Sequence, residues 1–133
     1  MRAVILTILI TFFIQADSTI ELSLKNNYES ALKEAKIDNK YLFIIVSKKN
    51  CGWCKKLKAT TLKDSDIVEN LDRDYVVVEL DKNSNNFPST MEVIGVPSIF
   101  IVDSKSGDII KNIVGFRKNK NDYLKWFKYV KNL

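Results

Sequence analysis

After the first 16 residues, three stretches of the chain are rich in aliphatic, β-branched and aromatic residues. They are residues 41–47 (YLFIIVS), 75–81 (YVVVELD) and 97–103 (PSIFIVD). Such continuous apolar runs are typical of strands that are covered on both faces of a sheet. A returning strand is expected at 109–115, because the composition of the preceding turn at 104–108 (SKSGD) favours a hairpin.

Helices are predicted between and after these strands, at residues 28–35, 51–62, 65–71, 89–94 and 122–133. The first is rich in Ala, Leu and Glu and could be capped by Asn26 or Asn27, and Asp64 would cap the third. Alternating helices and strands favour parallel pairing, whereas the turn near the end favours antiparallel pairing. The 133-residue chain is therefore predicted to form one α/β domain with a mixed central sheet and helices on both faces.

The beginning of the chain has the order of an export signal. A positive start precedes an apolar run at residues 3–14 (AVILTILITFFI), and small or polar residues follow. The run is shorter than the roughly 20 residues that span a bilayer as a helix, and the order is that of a secretory signal peptide. We predict a signal peptide at 1–16, a domain at 17–133, and an exported, periplasmic or otherwise extracytoplasmic protein. Because Ile14 fits the usual cleavage pattern poorly, an uncleaved N-terminal anchor is the alternative.

The charge pattern restricts the partners and the chemistry. The net charge is +5, but the lysines are scattered among acidic residues without a nucleic-acid-binding motif, so no nucleic acid partner is expected. The chain has no histidine and therefore lacks the commonest general base and metal ligand. We expect a monomer without metal or cofactor, whose chemistry rests on Cys, carboxylates, Lys, Tyr or the backbone.

The cysteines of the chain both lie in the sequence Cys51-Gly52-Trp53-Cys54. The predicted strand ends at Ser47 and a helix begins near Cys51, so free backbone N–H groups and the helix dipole would stabilise a Cys51 thiolate. A thiolate is the attacking species in disulfide exchange. Cys54 lies one turn further in and suits the resolving role. Positive charge is added nearby by Lys55, Lys56 and Lys58.

Other uses of two closely spaced cysteines fit less well. A zinc site usually needs four ligands, which this chain could supply only as a dimer. A c-type haem needs histidine after the second cysteine, where this chain has Lys55. A purely structural disulfide would close a very small loop and add little stability. A C-x-x-C beside a strand–helix pattern favours redox chemistry.

Three further residues are predicted to contact substrate. Trp53, between the cysteines, would lie on the outer face of the turn, where it either contacts a partner or only shields the disulfide. Pro97 begins a strand, where an ordinary trans proline is tolerated. A cis bond would instead turn the backbone of Val96 toward the cysteines, free to pair with an extended substrate segment.

These elements together resemble the thioredoxin superfamily over residues 28–133, through YLFIIVS, CGWCKKLK, YVVVELD, GVPSIFIVD, the turn SKSGD and IVG. The run CGWCKK and the stretch Thr-Leu-Lys-Asp at 61–64 are most similar to exported thioredoxin-like proteins. The resemblance implies a three-layer thioredoxin-like fold, an attacking Cys51, a resolving Cys54 and a cis Pro97 that faces the disulfide.

One position departs from the family pattern. Thioredoxins have a buried Asp six residues before the first cysteine, where this chain has Ile45. That carboxylate is thought to help remove the proton of the resolving thiol. Glu79, on the adjacent predicted strand, could substitute in this proton transfer, or it could face the solvent.

The main functional hypothesis is a protein thiol–disulfide oxidoreductase that acts on exported proteins, with reduction as the expected direction. Its partners would be protein thiols or disulfides, and a membrane electron-relay protein would supply electrons. The alternative is a binding or chaperone module whose disulfide does not cycle. A third hypothesis is an anchored partner in cytochrome maturation or a similar assembly process.

Overall fold

The computed structural model describes residues 20–133. Its strands are β1 (Leu24–Lys25), β2 (Tyr41–Ser47), β3 (Tyr75–Asp81), β4 (Ser98–Val102) and β5 (Ile109–Val114). Its α-helices are α1 (Tyr28–Asp38), α2 (Gly52–Ala59), α3 (Ser65–Asp74) and α4 (Asn121–Lys131). None of these described helices is both long and apolar enough to cross a membrane. The predicted signal peptide or anchor lies outside the described residues.

The strands form one mixed sheet in the order β1-β3-β2-β4-β5. The pairs β1–β3 and β2–β3 are parallel, whereas β2–β4 and β4–β5 are antiparallel. This arrangement confirms the predicted mixed sheet and the returning strand after the turn. The two-residue strand β1 was not predicted, because so short a segment has no periodicity that a sequence pattern could show.

Both faces of the sheet are covered, which explains the uninterrupted apolar character of β2. Phe43 and Ile45 point into one core, which α2, α3 and α4 close. The alternating residues Leu42, Ile44 and Val46 point into a second core beneath α1. Each such side chain contributes about 1.5–3 kcal/mol when it is fully buried. The apolar side chains of β2 therefore hold this strand at the centre of the sheet, directly before the cysteine motif.

The helix starts follow the predicted caps. Asn27 accepts a hydrogen bond from the Ser30 N–H at the start of α1. Asp64 does the same for α3, accepting from the N–H groups of Asp66 and Ile67. Burial pushes the pKa of Asp64 upward, but hydrogen bonds from the Lys120 ammonium and from these backbone groups hold the pKa below its usual value. The ion pair with Lys120, 3.2 Å long, also connects α3 to the start of α4.

Two helix predictions need correction. Residues 89–94 form no helix: one turn, closed by a 2.9 Å hydrogen bond from the Met91 N–H to the Pro88 carbonyl, leads into irregular backbone. The β-branched pair at 93–94 and the following Gly95 explain why this turn does not continue. The helix expected to reach Leu62 ends at Ala59 and gives way to a short 3-10 turn, Thr61–Lys63.

Candidate redox site

The end of β2 places the first cysteine at a helix start. Three exposed residues after Ser47, among them Asn50 in the left-handed conformation at φ 62°, reverse the chain toward α2. Asparagine tolerates this conformation better than most residues. Cys51 is then the N-cap of α2, and its Sγ accepts a 3.1 Å hydrogen bond from the Cys54 N–H. The predicted position of Cys51 at a helix N-terminus is confirmed.

Cys51 and Cys54 form a disulfide with their Cα atoms 5.3 Å apart. Cys51 is 8% exposed and Cys54 is 3% exposed, so the first cysteine is the more accessible of the two. The N–H group that donates to Cys51 Sγ would also donate to a thiolate at the same position, and hydrogen bonds to the charged form lower a thiol pKa. The geometry therefore fits the predicted roles, with Cys51 as the attacking and Cys54 as the resolving sulfur.

No carboxylate lies close in sequence to this sulfur pair. Between Asp38 and Asp64 the chain contains lysines but neither Asp nor Glu. Within residues 20–133, no group of three or more Cys, Asp or Glu side chains is placed to hold a metal ion. The local charge is thus positive, which favours an ionised sulfur once the disulfide is reduced.

A groove of about 430 Å³ lies beside the disulfide helix. It contains all of the predicted substrate-contact residues and is lined by Trp53, Lys56, Val96, Pro97, Gly115, Phe116 and Lys118. Trp53 is 57% exposed, and its ring stacks on that of Phe116, with ring centroids 5.7 Å apart and planes 18° apart. Trp53 therefore lies on the outer face of the turn, as predicted, and forms one wall of a concave surface.

Phe116 was missed at the sequence level. It follows Gly115, whose φ of 83° lies in the left-handed region and turns the chain away from the end of β5. A glycine followed by a large aromatic residue at the end of a returning strand is the only signal that the sequence offers. That signal does not show that the ring lies beside Trp53, because this contact depends on how α2 packs against the sheet.

The Val96–Pro97 peptide bond is cis, as the family resemblance implied. The Pro97 carbonyl accepts a 2.8 Å hydrogen bond from the Gly115 N–H, which ties the two sides of the groove floor together. Among residues 20–133, no hydrogen bond joins the backbone N–H or carbonyl of Val96 to another residue. A half-buried backbone with both groups available can pair with an extended segment.

Glu79 lies on the face of the sheet that α2, α3 and α4 cover, the same face as Tyr75 and Val77. It pairs in register with Ile45, and its side chain is 24% exposed. Its Oε1 accepts hydrogen bonds from Ser47 Oγ and Lys58 Nζ, each 2.8 Å long. Lys58 lies four residues after Cys54, so both side chains share one side of α2. The carboxylate is therefore one strand away from the family's usual position and bound to the cysteine helix. Its role in proton transfer stays a prediction.

A larger cavity, of about 700 Å³, lies elsewhere and contains neither cysteine. It is formed by the segment before β1, with Ile20 and Leu22, against Leu62 and Val68. Its position gives it no contact with the disulfide, so the smaller groove is the relevant one for exchange chemistry.

Comparisons with known proteins agree with this fold. A family described as a thioredoxin-like domain matches residues 28–131. The solution structure of a thioredoxin from Thermus thermophilus is 20% identical, with a TM-score of 0.68 over 83% of this chain and 87% of that chain. Poplar thioredoxin h is 21% identical, with a TM-score of 0.65 over 85% and 98%. A DsbH oxidoreductase is 20% identical, with a TM-score of 0.67 over 90% and 93%. Among curated protein sequences there is no significant match.

Proposed function

The chain belongs to the thioredoxin-like domain family, and from this membership and the geometry of Cys51 and Cys54 we propose that it is a thiol–disulfide oxidoreductase that reduces exported proteins. The observation that carries the proposal is the disulfide at the start of α2, beside an open groove. A structural cross-link would gain nothing from this placement, because a loop of this size adds little stability. Disulfide exchange requires both an accessible sulfur and a surface for the partner.

The reaction begins with both cysteines reduced. The Cys51 thiolate attacks one sulfur of a substrate disulfide, that S–S bond breaks, and the other substrate sulfur leaves as a thiolate. Cys54, deprotonated, then attacks Cys51 Sγ, which releases the second substrate sulfur and closes the Cys51–Cys54 disulfide. Two electrons pass to the substrate, and an external dithiol donor must return them. A membrane electron-relay protein is the donor that we propose for an extracytoplasmic location.

The substrate would bind as an extended segment along the groove. The free backbone groups of Val96 can form strand-like hydrogen bonds with it, while Trp53 and Pro97 provide apolar contact. These contacts hold the target disulfide beside Cys51 and raise the effective concentration of the attacking sulfur. They also explain why a large indole ring stays exposed at 57% beside the cysteines.

Glu79 is proposed to receive the proton of Cys54. Its carboxylate lies on the same face of the sheet as α2 and is bound to Lys58, one turn after Cys54. A Glu79→Gln variant is expected to slow the resolving step on the order of a hundredfold, the lower range for general acid–base catalysis, with most of the loss recovered at high pH. The measurement is the decay of the mixed disulfide as a function of pH. The matched control is Glu69→Gln, because Glu69 is an exposed carboxylate on α3. Equal decay in both variants would contradict the role of Glu79.

The test of the function as a whole compares wild type with two cysteine variants. Wild type is expected to reduce insulin with a dithiol donor, Cys51→Ser to be inactive, and Cys54→Ser to accumulate mixed disulfides with its substrates. The reduction potential decides the direction: a value of about −270 mV supports a reductant, and one of about −120 mV supports an oxidant. An inert disulfide in wild type would instead favour the binding or chaperone module.

Export is proposed from the order of residues at the N-terminus. The expected outcome is that the protein fractionates outside the cytosol and that its N-terminal sequence begins after Ala16. A chain that starts at Met1 and stays with the membrane would support the uncleaved anchor, and a cytosolic chain would contradict export altogether.

A further inference from the structure

Two lysines that line the groove have no partner of opposite charge among residues 20–133. Lys56 and Lys118 both contribute to its surface, and neither forms a salt bridge with any residue in 20–133. Other lysines near the site are neutralised: Lys58 pairs with Glu79, and Lys120 pairs with Asp64. The groove therefore carries positive charge that no acidic side chain in the described part of the chain compensates.

The segments that build the groove contain no acidic residue. There is no Asp or Glu between Asp38 and Asp64, where α2 lies, nor between Asp108 and Asp122, where Phe116 and Lys118 lie. The segment 93–102, which includes Val96 and Pro97, has none either. Although the chain has 16 acidic residues in total, none of them is among the residues that line the groove.

The positive groups lie beside apolar rings. Lys56 Nζ is 5.2 Å from the centre of the Trp53 ring and 5.4 Å from that of Phe116. This cation–π contact holds the Lys56 ammonium group beside the stacked rings of Trp53 and Phe116, which form one wall of the groove. A segment that lies in the groove thus meets an apolar wall and a cation at the same place.

We infer that the groove selects, among protein disulfides, those whose flanking segment carries a carboxylate next to an apolar or aromatic side chain. This inference rests on the proposed function, because it names the substrate class of the same site. Lys56 and Lys118 bind the carboxylate, and Trp53 and Phe116 contact the apolar side chain. Lys118 lies between β5 and α4, outside the cysteine helix, so a substitution at this position leaves the sequence of that helix unchanged.

The test uses three peptide disulfides that differ in one residue. Each carries Phe and then Glu, Gln or Lys beside the reactive cysteine, and each reacts with the reduced full chain in a single turnover. Each rate constant is divided by that for dithiothreitol with the same peptide, since the neighbouring charge also changes the intrinsic reactivity of the disulfide. We expect the Glu peptide to react about three- to tenfold faster than the Lys peptide at low ionic strength, and the ratio to shrink in salt.

A charge reversal locates the effect. Lys118→Glu is expected to reverse the preference, so that the Lys peptide reacts faster than the Glu peptide. Lys105→Glu, which changes the net charge equally in the exposed turn between β4 and β5, should keep the wild-type preference. Lys56→Gln should reduce the ratio of the Glu-peptide rate to the Lys-peptide rate, whereas Lys56→Arg, which keeps the positive charge, should leave this ratio near the wild-type value.

The outcomes separate this inference from the proposed function. Equal normalised rates for the three peptides would overturn the acidic preference while showing that exchange occurs. Equal effects of Lys118→Glu and Lys105→Glu would also overturn it, because the preference would then come from the net charge. Failure of the reduced protein to react with any peptide would count against the oxidoreductase assignment itself.

Discussion

Two groups of aromatic side chains in this protein differ in how much of their apolar surface is exposed to water. In the first, Trp53 and Phe116 stack nearly parallel beside the disulfide, and the indole is mostly exposed. In the second, Phe43, Tyr75 and Phe127 pack at tilted or edge-on angles inside the core, with centroids 5.1–6.2 Å apart. The first group leaves much of its apolar surface in water, whereas the second removes nearly all of its surface from water.

The difference separates binding from stability. The buried group joins β2, β3 and α4, and each such pair contributes about 0.5–1.5 kcal/mol beyond the burial of its area. The exposed pair gives the folded protein little, because its outer surface stays hydrated. An exposed aromatic surface instead gains free energy when a partner covers it. We therefore expect substitutions in the buried group to change unfolding, and substitutions in the exposed pair to change exchange.

Phe127→Ala should have the largest effect. Phe127 is 4% exposed and contacts both Phe43 and Tyr75, so its loss leaves a cavity between α4 and the sheet. We expect the free energy of unfolding to fall by about 3–5 kcal/mol. Urea denaturation of the oxidised protein measures this loss. The folded fraction should keep the wild-type rate with a small disulfide reagent, and a slower rate would show that the two aromatic groups are coupled.

Trp53→Ala should lower the activity and leave the stability almost unchanged, the reverse of what we expect for Phe127→Ala. We expect kcat/KM for a protein disulfide to fall about tenfold, the loss expected when a central contact residue is removed, while the free energy of unfolding changes by less than about 0.5 kcal/mol. The matched control is Tyr129→Ala, since Tyr129 is 52% exposed on α4 and lies outside the groove. An equal loss of activity in both variants would remove the distinction between a binding surface and an ordinary exposed ring.

Sequence patterns predicted the buried group and the strands best. The bounds of β2 and β3 were predicted to the residue, because runs of 7 residues rich in β-branched and aromatic side chains are short for a helix and favour a buried strand. Tyr123, Phe127 and Val130 are buried on one face of α4, as helical spacing indicates. These features depend on the local pattern of apolar residues, which a single sequence shows directly.

The groove was less predictable, because its parts come from distant segments. The motif at Cys51 and Cys54 is local and visible, but the contact of Trp53 with Phe116 joins residues far apart in sequence. From the residues alone a trans Pro97 was the ordinary expectation, and only the family resemblance implied the cis bond that the structure has. The prediction of a helix at 89–94 was wrong because the sequence of a single turn beside a proline is similar to that of a helix start. Only the hydrogen bonds of the structure distinguish the two.

Tyr75→Phe should have the smallest effect and the opposite sign to Phe127→Ala. The Tyr75 hydroxyl is buried and has no hydrogen-bond partner among the described residues, so its removal should raise the free energy of unfolding by about 1 kcal/mol. Tyr123→Phe is the matched control: that hydroxyl accepts a 3.0 Å hydrogen bond from the Arg117 N–H, so its loss should lower stability. Urea denaturation at neutral pH compares the two variants.

The pH dependence of the same variant gives a second measurement. Burial, with a smaller contribution from the charge of Asp74, raises the pKa of Tyr75 well above its usual value. The unfolded chain then releases this proton above about pH 10, whereas the folded protein keeps it. The contribution of a neutral Tyr75 is therefore complete below pH 10 and is lost as the pH rises above it. Tyr75→Phe should make the alkaline loss of stability shallower. An unchanged alkaline slope would mean that the hydroxyl reaches water, and the buried aromatic group would then be less closed than the comparison with Trp53 and Phe116 requires.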